Sequence, residues 1–375
     1  MRDFTQKVAG LLDELVRQNS ISYAGQRETA RFLYDRLRSS PYFSKDRENV
    51  FSIPTALPDE PFSILAVYES PKKLRETIIL CGHFDTVGVE EFGERSAVAF
   101  NQEELIPWLK ERFTNDQILQ GDIDSGRYYF GRGSLDMKGA VAMLTELFLA
   151  VCESSISDSV GAFPWNLILL LTCDEEGMGA GIRSALPYLK KLRDEAKLDF
   201  KLLINADFAH ADEADPIPIF CGTIGKVLVG ISVFGTETHA GAPYEGINAS
   251  SLLSAILAHL ECNPKLTEHV KGEFTPPPTV LSASGTQREY SVKTPSSAHA
   301  YVNLFFMHPM ADKLMGKVVN EVRRACKIYL RSLKKKYNTF CAKSNQNVSQ
   351  ALATPKVFHL SHLLKELRKQ GSSTD

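Results

Sequence analysis

Apolar residues at helical spacing open the chain. Phe4, Val8, Leu11, Leu12, Leu15 and Val16 predict a first helix. Ala30, Leu33, Tyr34 and Leu37 predict a second, after the turn region Ser20-Ile-Ser-Tyr-Ala-Gly. The pattern then shortens. Residues 62–68 are rich in Ile, Leu and Val, and 77–81 are an apolar run bounded by charge and then by Gly82. Such runs suit strands buried on both faces of a sheet. Residues 90–127 are polar and irregular, with one helix predicted over 102–112. A helix over 137–151 and buried-type strands at 166–172 and 202–205 follow. Strands alternating with helices predict an α/β fold, a largely parallel sheet flanked by helices.

After Cys221 the pattern changes. Residues 226–234 alternate as a strand. Asn248 is placed to cap a helix with Leu252, Leu253, Ile256, Leu257 and Leu260 on one face. Three prolines at 276–278 break the chain, and strands are predicted at 279–282 and 298–306. Leu314, Val318, Val322, Ala325 and Tyr329 put a long helix over 311–333. This stretch reads as a smaller α+β domain inserted into the first. The expected boundaries are 1–222 for the first domain, 223–335 for the insert and 336–375 for the start of a return to the first. The polar tail 370–375 is expected to be disordered.

Composition narrows the function classes. The chain has 375 residues, enough for two domains and a large core. A formal net charge of −2 gives no basic surplus for nucleic acid. The opening MRDFTQKVAG carries charges where a secretory leader needs an apolar centre. No apolar run reads as long enough to span a membrane; the longest, near 167–171, is far too short. Seven scattered cysteines without a Cys-x-x-Cys pair point to reduced thiols. The expectation is a cytoplasmic protein without nucleic-acid or membrane partners.

The chemistry sits beside the predicted strands. Strand 77–81 runs into Gly82-His83-Phe84-Asp85-Thr86-Val87, where alternation puts His83 and Asp85 on one side. Imidazole is a good zinc ligand, and a carboxylate beside it can fix its tautomer. A His–Asp pair that merely steadies a loop explains this fragment as well. Next, Phe130-Gly-Arg-Gly-Ser-Leu-Asp-Met-Lys-Gly-Ala runs into a helix. It mimics a dinucleotide fingerprint, but Asp136 occupies the third glycine position and would repel a pyrophosphate. A carboxylate there can bridge two cations, or simply favour the helix dipole. Strand 166–172 leads to Cys173-Asp174-Glu175-Glu176-Gly177. Glu175 and Glu176 can divide the work, one on metal and one on protons. Residues 204–207, Ile-Asn-Ala-Asp, supply Asp207. Four successive strand ends thus deliver His or carboxylate to one sheet edge, a donor set suited to zinc, cobalt or manganese.

The ordered set GHFDTV, GRGSLDMKGA, DEEG and NAD, followed by ETHAG and GIN, resembles the family-twenty metallopeptidases, over nearly the whole chain. That group includes aminoacylases, acetylornithine deacetylase, succinyl-diaminopimelate desuccinylase and glutamate carboxypeptidases. The long segment between His83 and Asp136, the GRGSLDMKG wording and Tyr290-Ser-Val-Lys-Thr-Pro resemble its arginine-utilisation, RocB-like branch.

The resemblance implies a zinc-peptidase fold in which 1–222 is the zinc-binding catalytic domain and 223–335 a lid and dimerisation domain. It implies a hydrolase of amide bonds in small N-acyl amino acids or short peptides. It implies one or two zincs per chain, with cobalt or manganese as substitutes. His83, Asp136 and Asp207 would hold one zinc, with Asp136 bridging, and Glu176 would join Asp136 on a second. Glu175 would be general base and acid, and Asp85 would orient His83. His239 would reach the substrate carbonyl oxygen from the lid, across a homodimer. Asn303 or Tyr290 would help bind a substrate carboxylate.

One departure stands out. The family's second zinc takes a histidine from beyond the lid, and here only His359 and His362 follow it, before a helix-like segment. The chain therefore resembles a C-terminally shortened member. The alternative expectation is a metal-binding but catalytically weak homologue acting as a binding or regulatory module. His210, His259, His269, His299 and His308 are expected at the surface or in packing, and Cys81 and Cys173 as small hydrophobes. A serine hydrolase or a P-loop NTPase is disfavoured, since neither Gly-x-Ser-x-Gly nor Gly-x4-Gly-Lys-Ser/Thr occurs.

Overall fold

The computed structural model describes residues 2–44, 47–157, 162–208, 219–287, 289–308, 311–345 and 355–370. The chain forms two compact units, Met1–Pro218 and Ile219–Asp375. The first contains, in order, α1 (Arg2–Val16), α2 (Gln26–Ser39), β1 (Val50–Pro54), β2 (Phe62–Tyr68), β3 (Glu76–His83), α3 (Gln102–Arg112), α4 (Gln117–Ser125), α5 (Gly139–Ser157), β4 (Asn166–Thr172), α6 (Ala180–Asp194) and β5 (Asp199–Asn205).

Its strands are ordered β1-β2-β4-β3-β5. β3 pairs in parallel with both β4 and β5, and β2 pairs antiparallel with β1 and β4. Only β2 therefore runs against the rest, which makes this the expected α/β sheet in mixed form. Every residue of the central strand β4 is buried. Alternation sends its side chains to opposite cores. Leu167, Leu169 and Leu171 join α1, α2 and α5 through Leu15, Leu33 and Phe148. Ile168 and Leu170 join α6 through Ala185 and Leu189. Two-sided burial is why β4 reads as an unbroken apolar run.

The edge strand β5 differs. Leu202 and Leu203 are each 52% exposed, so one end of the sheet presents apolar side chains to solvent. The reading that no segment is long and apolar enough to span a membrane needs correction. Ser134–Ile156, which includes α5, passes by length and composition. In the fold its Val141, Ala142, Leu144 and Phe148 lie in the core against α1 and the sheet, which accounts for its apolar character.

The second unit contains β6 (Gly225–Phe234), α7 (Ala249–Leu260), the short pair β7 (His269–Val270) and β8 (Glu273–Phe274), then β9 (Thr279–Gly285), β10 (Ser297–Phe306), α8 (Ala311–Ser344) and α9 (Leu360–Lys369). An antiparallel sheet ordered β6-β10-β9 packs against α7 and α8 through Val229, Val302, Leu304, Leu253, Ile256 and Val318. Asn248 caps α7 as expected, its side chain accepting from the Ser251 N–H at 3.1 Å. Of the expected disordered tail, 371–375 lie outside the described residues.

Candidate metal centre

β4, β3 and β5 are parallel neighbours, so their C-terminal ends open on one edge of the sheet. β3 ends on His83, β4 leads to Glu175 and Glu176, and β5 leads to Asp207. Asp136 arrives differently, from the turn Ser134–Lys138 before α5 rather than from a strand end. Its neighbour Met137 is fully buried, with Sδ 3.3 Å from the His83 N–H. Gly82 leaves room for this approach, since a Cβ there would lie 2.9 Å from Met137 Cε. The buried methionine thus pins Asp136 over β3. The Asp136–Met137 peptide is cis.

These elements bring the expected residues together. His83 Nε2 lies 3.1 Å from Asp136 Oδ1, 3.9 Å from Glu175 Oε2 and 3.9 Å from Asp207 Oδ1. His83, Asp136 and Glu176 offer ligand atoms all within 4.8 Å of one another. Bonds of roughly 2.0–2.1 Å put two ligand atoms of a tetrahedral zinc about 3.3 Å apart, and the 3.1 Å between His83 Nε2 and Asp136 Oδ1 is close to that spacing.

The electrostatics fit as well. Burial works against a charged His83 ring, but Asp85, Glu175 and Asp207 outweigh it, and the pKa is raised to about 9. Burial foremost, then neighbouring carboxylates, lifts Asp136, Glu175 and Glu176 above the usual range despite the pull of His83. Among the described residues no Lys or Arg pairs with these three or with Asp207. Crowded carboxylates with no Lys or Arg partner suit a divalent metal.

Asp85 does more than the expected orienting of His83. The His83 Nδ1 lies 3.0 Å from the Asp85 backbone oxygen and 3.5 Å from its Oδ1. A proton on Nδ1 leaves Nε2 free as a ligand. The Asp85 carboxylate instead accepts from Ser22 Oγ at 2.7 Å, Glu175 N at 3.0 Å and Glu176 N at 3.1 Å. Burial opposes its ionisation, but these donors and His83 hold its pKa low. Asp174, first of the acid run, is fully buried with φ 61°. Its Oδ2 accepts the Ala180 N–H at 2.9 Å at the start of α6, which makes it a scaffold residue.

Ser22, Gln26 and Lys138 escaped the sequence reading. Gln26 Oε1 accepts the Asp174 N–H at 2.8 Å. Lys138 is fully buried, and its Nζ donates to the Leu15 and Gln18 carbonyls at 2.9 and 2.8 Å. Burial pushes its pKa down to about 7. Lys138 stood in the quoted 130–140 stretch without a role of its own, and Ser20 and Ser22 flanking one apolar residue read as a turn.

His239 belongs to the second unit, where its Nδ1 accepts the Gly241 N–H at 3.0 Å. Asn303 is buried on β10, its Oδ1 without a hydrogen-bond partner among the described residues. Tyr290 is 94% exposed. His359 caps α9, and His362 stacks on Phe358. Both belong to the second unit. His259, His299 and His308 contact Glu321, Ser232 and Glu268, and His269 stacks on Phe274. His210 lies outside the described residues. Burial raises the Cys81 and Cys173 thiols to about 11, so both are protonated at neutral pH.

Residues 79–327 match the profile of peptidase family M20/M25/M40. Protein RocB of Bacillus subtilis (strain 168) is 29% identical over 372 residues, covering 98% of this chain and 64% of RocB. YqjN of the same organism, described as uncharacterized, is 31% identical over 338 residues, covering 89% of this chain and 60% of YqjN. The chain thus spans under two thirds of the length of either relative. Among solved structures, the M20 family metallo-carboxypeptidase Sso-CP2 from Sulfolobus solfataricus aligns with a TM-score of 0.55. It is 15% identical over 85% of this chain and 76% of its own, a likeness of fold.

Proposed function

The chain belongs to peptidase family M20/M25/M40, and from that premise we propose that it is a zinc-dependent hydrolase of amide or peptide bonds in small N-acyl amino acids or short peptides. One observation carries the reading. The ligand atoms of His83, Asp136 and Glu176 lie within 4.8 Å of one another, where three parallel strands end. Asp207 stands beside this group as a further oxygen ligand. Zinc, or cobalt or manganese in its place, supplies a Lewis acid and a bound water of lowered pKa.

The protein's own groups would do the rest. Glu175 is held by its backbone to Asp85, and burial raises its pKa. It is suited to take a proton from the attacking water and return it to the leaving amine. Asp85 keeps the His83 ring and both glutamates in register. His239, from the second unit, would donate to the oxyanion, with that unit serving as lid and dimerisation domain. The RocB likeness favours a substrate from arginine or other amino-acid catabolism. Free cysteines throughout favour a cytoplasmic setting.

The test is a screen of N-acyl amino acids and dipeptides with zinc, cobalt or manganese, parent beside Glu175→Gln. The variant should keep its metal and lose about 100- to 10,000-fold in turnover. Equal turnover would remove Glu175 from the chemistry. A parent that binds metal but cleaves nothing would favour the weaker reading, a binding or regulatory module. That reading draws on the second metal, for which Asp136 and Glu176 are the ligands named among the described residues.

A further inference from the structure

Residues 15–26 make hydrogen bonds to three of the four segments that present the candidate ligands, those of His83, Asp136 and Glu176. At the His83 loop, Ser20 Oγ donates to the Phe84 carbonyl at 2.7 Å, and the Thr86 N–H donates back to Ser20 O at 3.1 Å. The Ser22 N–H reaches Thr86 O at 3.0 Å, and Ser22 Oγ reaches Asp85. At the Asp136 loop, the buried Lys138 Nζ donates to the Leu15 and Gln18 carbonyls. These lie at and just beyond the C-terminal end of α1, where the helix dipole favours a cation. At the acidic loop, Gln26 takes the Asp174 N–H. Gly25, at φ 85°, lets the chain turn against the Asn19 carbonyl, which a Cβ would strike.

We propose that this stretch, which precedes the family-matched residues 79–327, is a positioning brace for the site, with Ser22 acting through Asp85 on Glu175 and Glu176. The inference rests on the reading of the site given above. The Asp85 carboxylate is fully buried; its Oδ2 accepts from both Ser22 Oγ and the Glu176 N–H, and its Oδ1 accepts from the Glu175 N–H. Without the hydroxyl, one oxygen loses its shortest donor. The carboxylate then rests on the two glutamate amides and the His83 ring alone, and the register of the glutamates with His83 loosens. Packing alone does not require this arrangement, because the hydroxyl ends on a carboxylate that touches the candidate ligands and not on the hydrophobic core.

The test uses the full chain as parent and two variants of position 22, Ser22→Ala and Ser22→Thr. Amide hydrogen exchange in the metal-free protein is read at Glu175 and Glu176, with Leu169 in β4 as internal reference. In Ser22→Ala both glutamate amides should exchange about 10-fold faster or more, Leu169 should not change, and Ser22→Thr should restore the parent rates. The visible absorption of the cobalt-loaded protein should shift in Ser22→Ala and return in Ser22→Thr. Unchanged exchange at both glutamates, or equal acceleration at Leu169, would overturn the brace. A parent that shows the exchange pattern but takes up no cobalt would support the brace and overturn the metal reading instead.

Discussion

At the scale of single residues, His83 carries the most chemistry. Its pKa, raised to about 9 by Asp85, Glu175 and Asp207 against the cost of burial, has a consequence for the metal-free protein. A folded pKa above the ordinary value of about 6.5 means that the charged ring stabilises the fold fully below that value. The contribution is lost as pH rises through about 9. The melting temperature of metal-free protein should therefore fall between these limits, and His83→Gln should flatten that slope. An unchanged slope in the variant would show that His83 is not the titrating group. His83, Asp136, Glu175, Glu176 and Asp207 were legible in the sequence because few residue types bind metal and each follows or precedes a clear element. Ser22, Gln26 and Lys138 were not. They act through hydrogen bonds to segments 63, 148 and 123 positions away, and nothing in a serine or a glutamine announces such a partner.

At the scale of elements, legibility followed burial. β2 and β4 were read at their observed bounds, because strands buried on both faces are apolar throughout. β1, α4 and α6 were missed. β1 is a short edge strand that buries only Val50 and Ile53 and ends on Pro54. α6 carries Pro187 in its interior and buries only Gly181, Ala185 and Leu189, too few for a clear period. α8 continues past the predicted end to Ser344, beyond the positions at which it packs on the sheet. Caps were easier, since Asn before an apolar period has a specific physical reason. Asn248→Ala removes the acceptor of the Ser251 N–H and should cost about 1 kcal/mol of stability, measured by denaturant titration. A variant as stable as the parent would show that the cap bond adds nothing to α7.

At the scale of the whole molecule, the α/β sheet of the first unit and the antiparallel sheet of the second were both legible as a change of hydrophobic period after Cys221. The exposed apolar β5 edge was visible only in three dimensions, because sequence does not reveal which buried-type strand lies outermost. The mixed direction of the sheet was equally hidden, since β2 and β3 have the same apolar character while running opposite ways. What unites the candidate site is a set of potential ligands drawn from segments spread between residues 83 and 207, which the parallel strand ends of the folded sheet bring together. The central claim is that this set holds a metal. Elemental analysis of the purified chain, before and after dialysis against zinc, tests it most directly. Parent protein should retain about one zinc per chain, Glu175→Gln should retain as much, and His83→Ala and Asp136→Ala should lose it. A parent that retains no zinc, cobalt or manganese, or a His83→Ala variant that retains as much as the parent, would contradict the account.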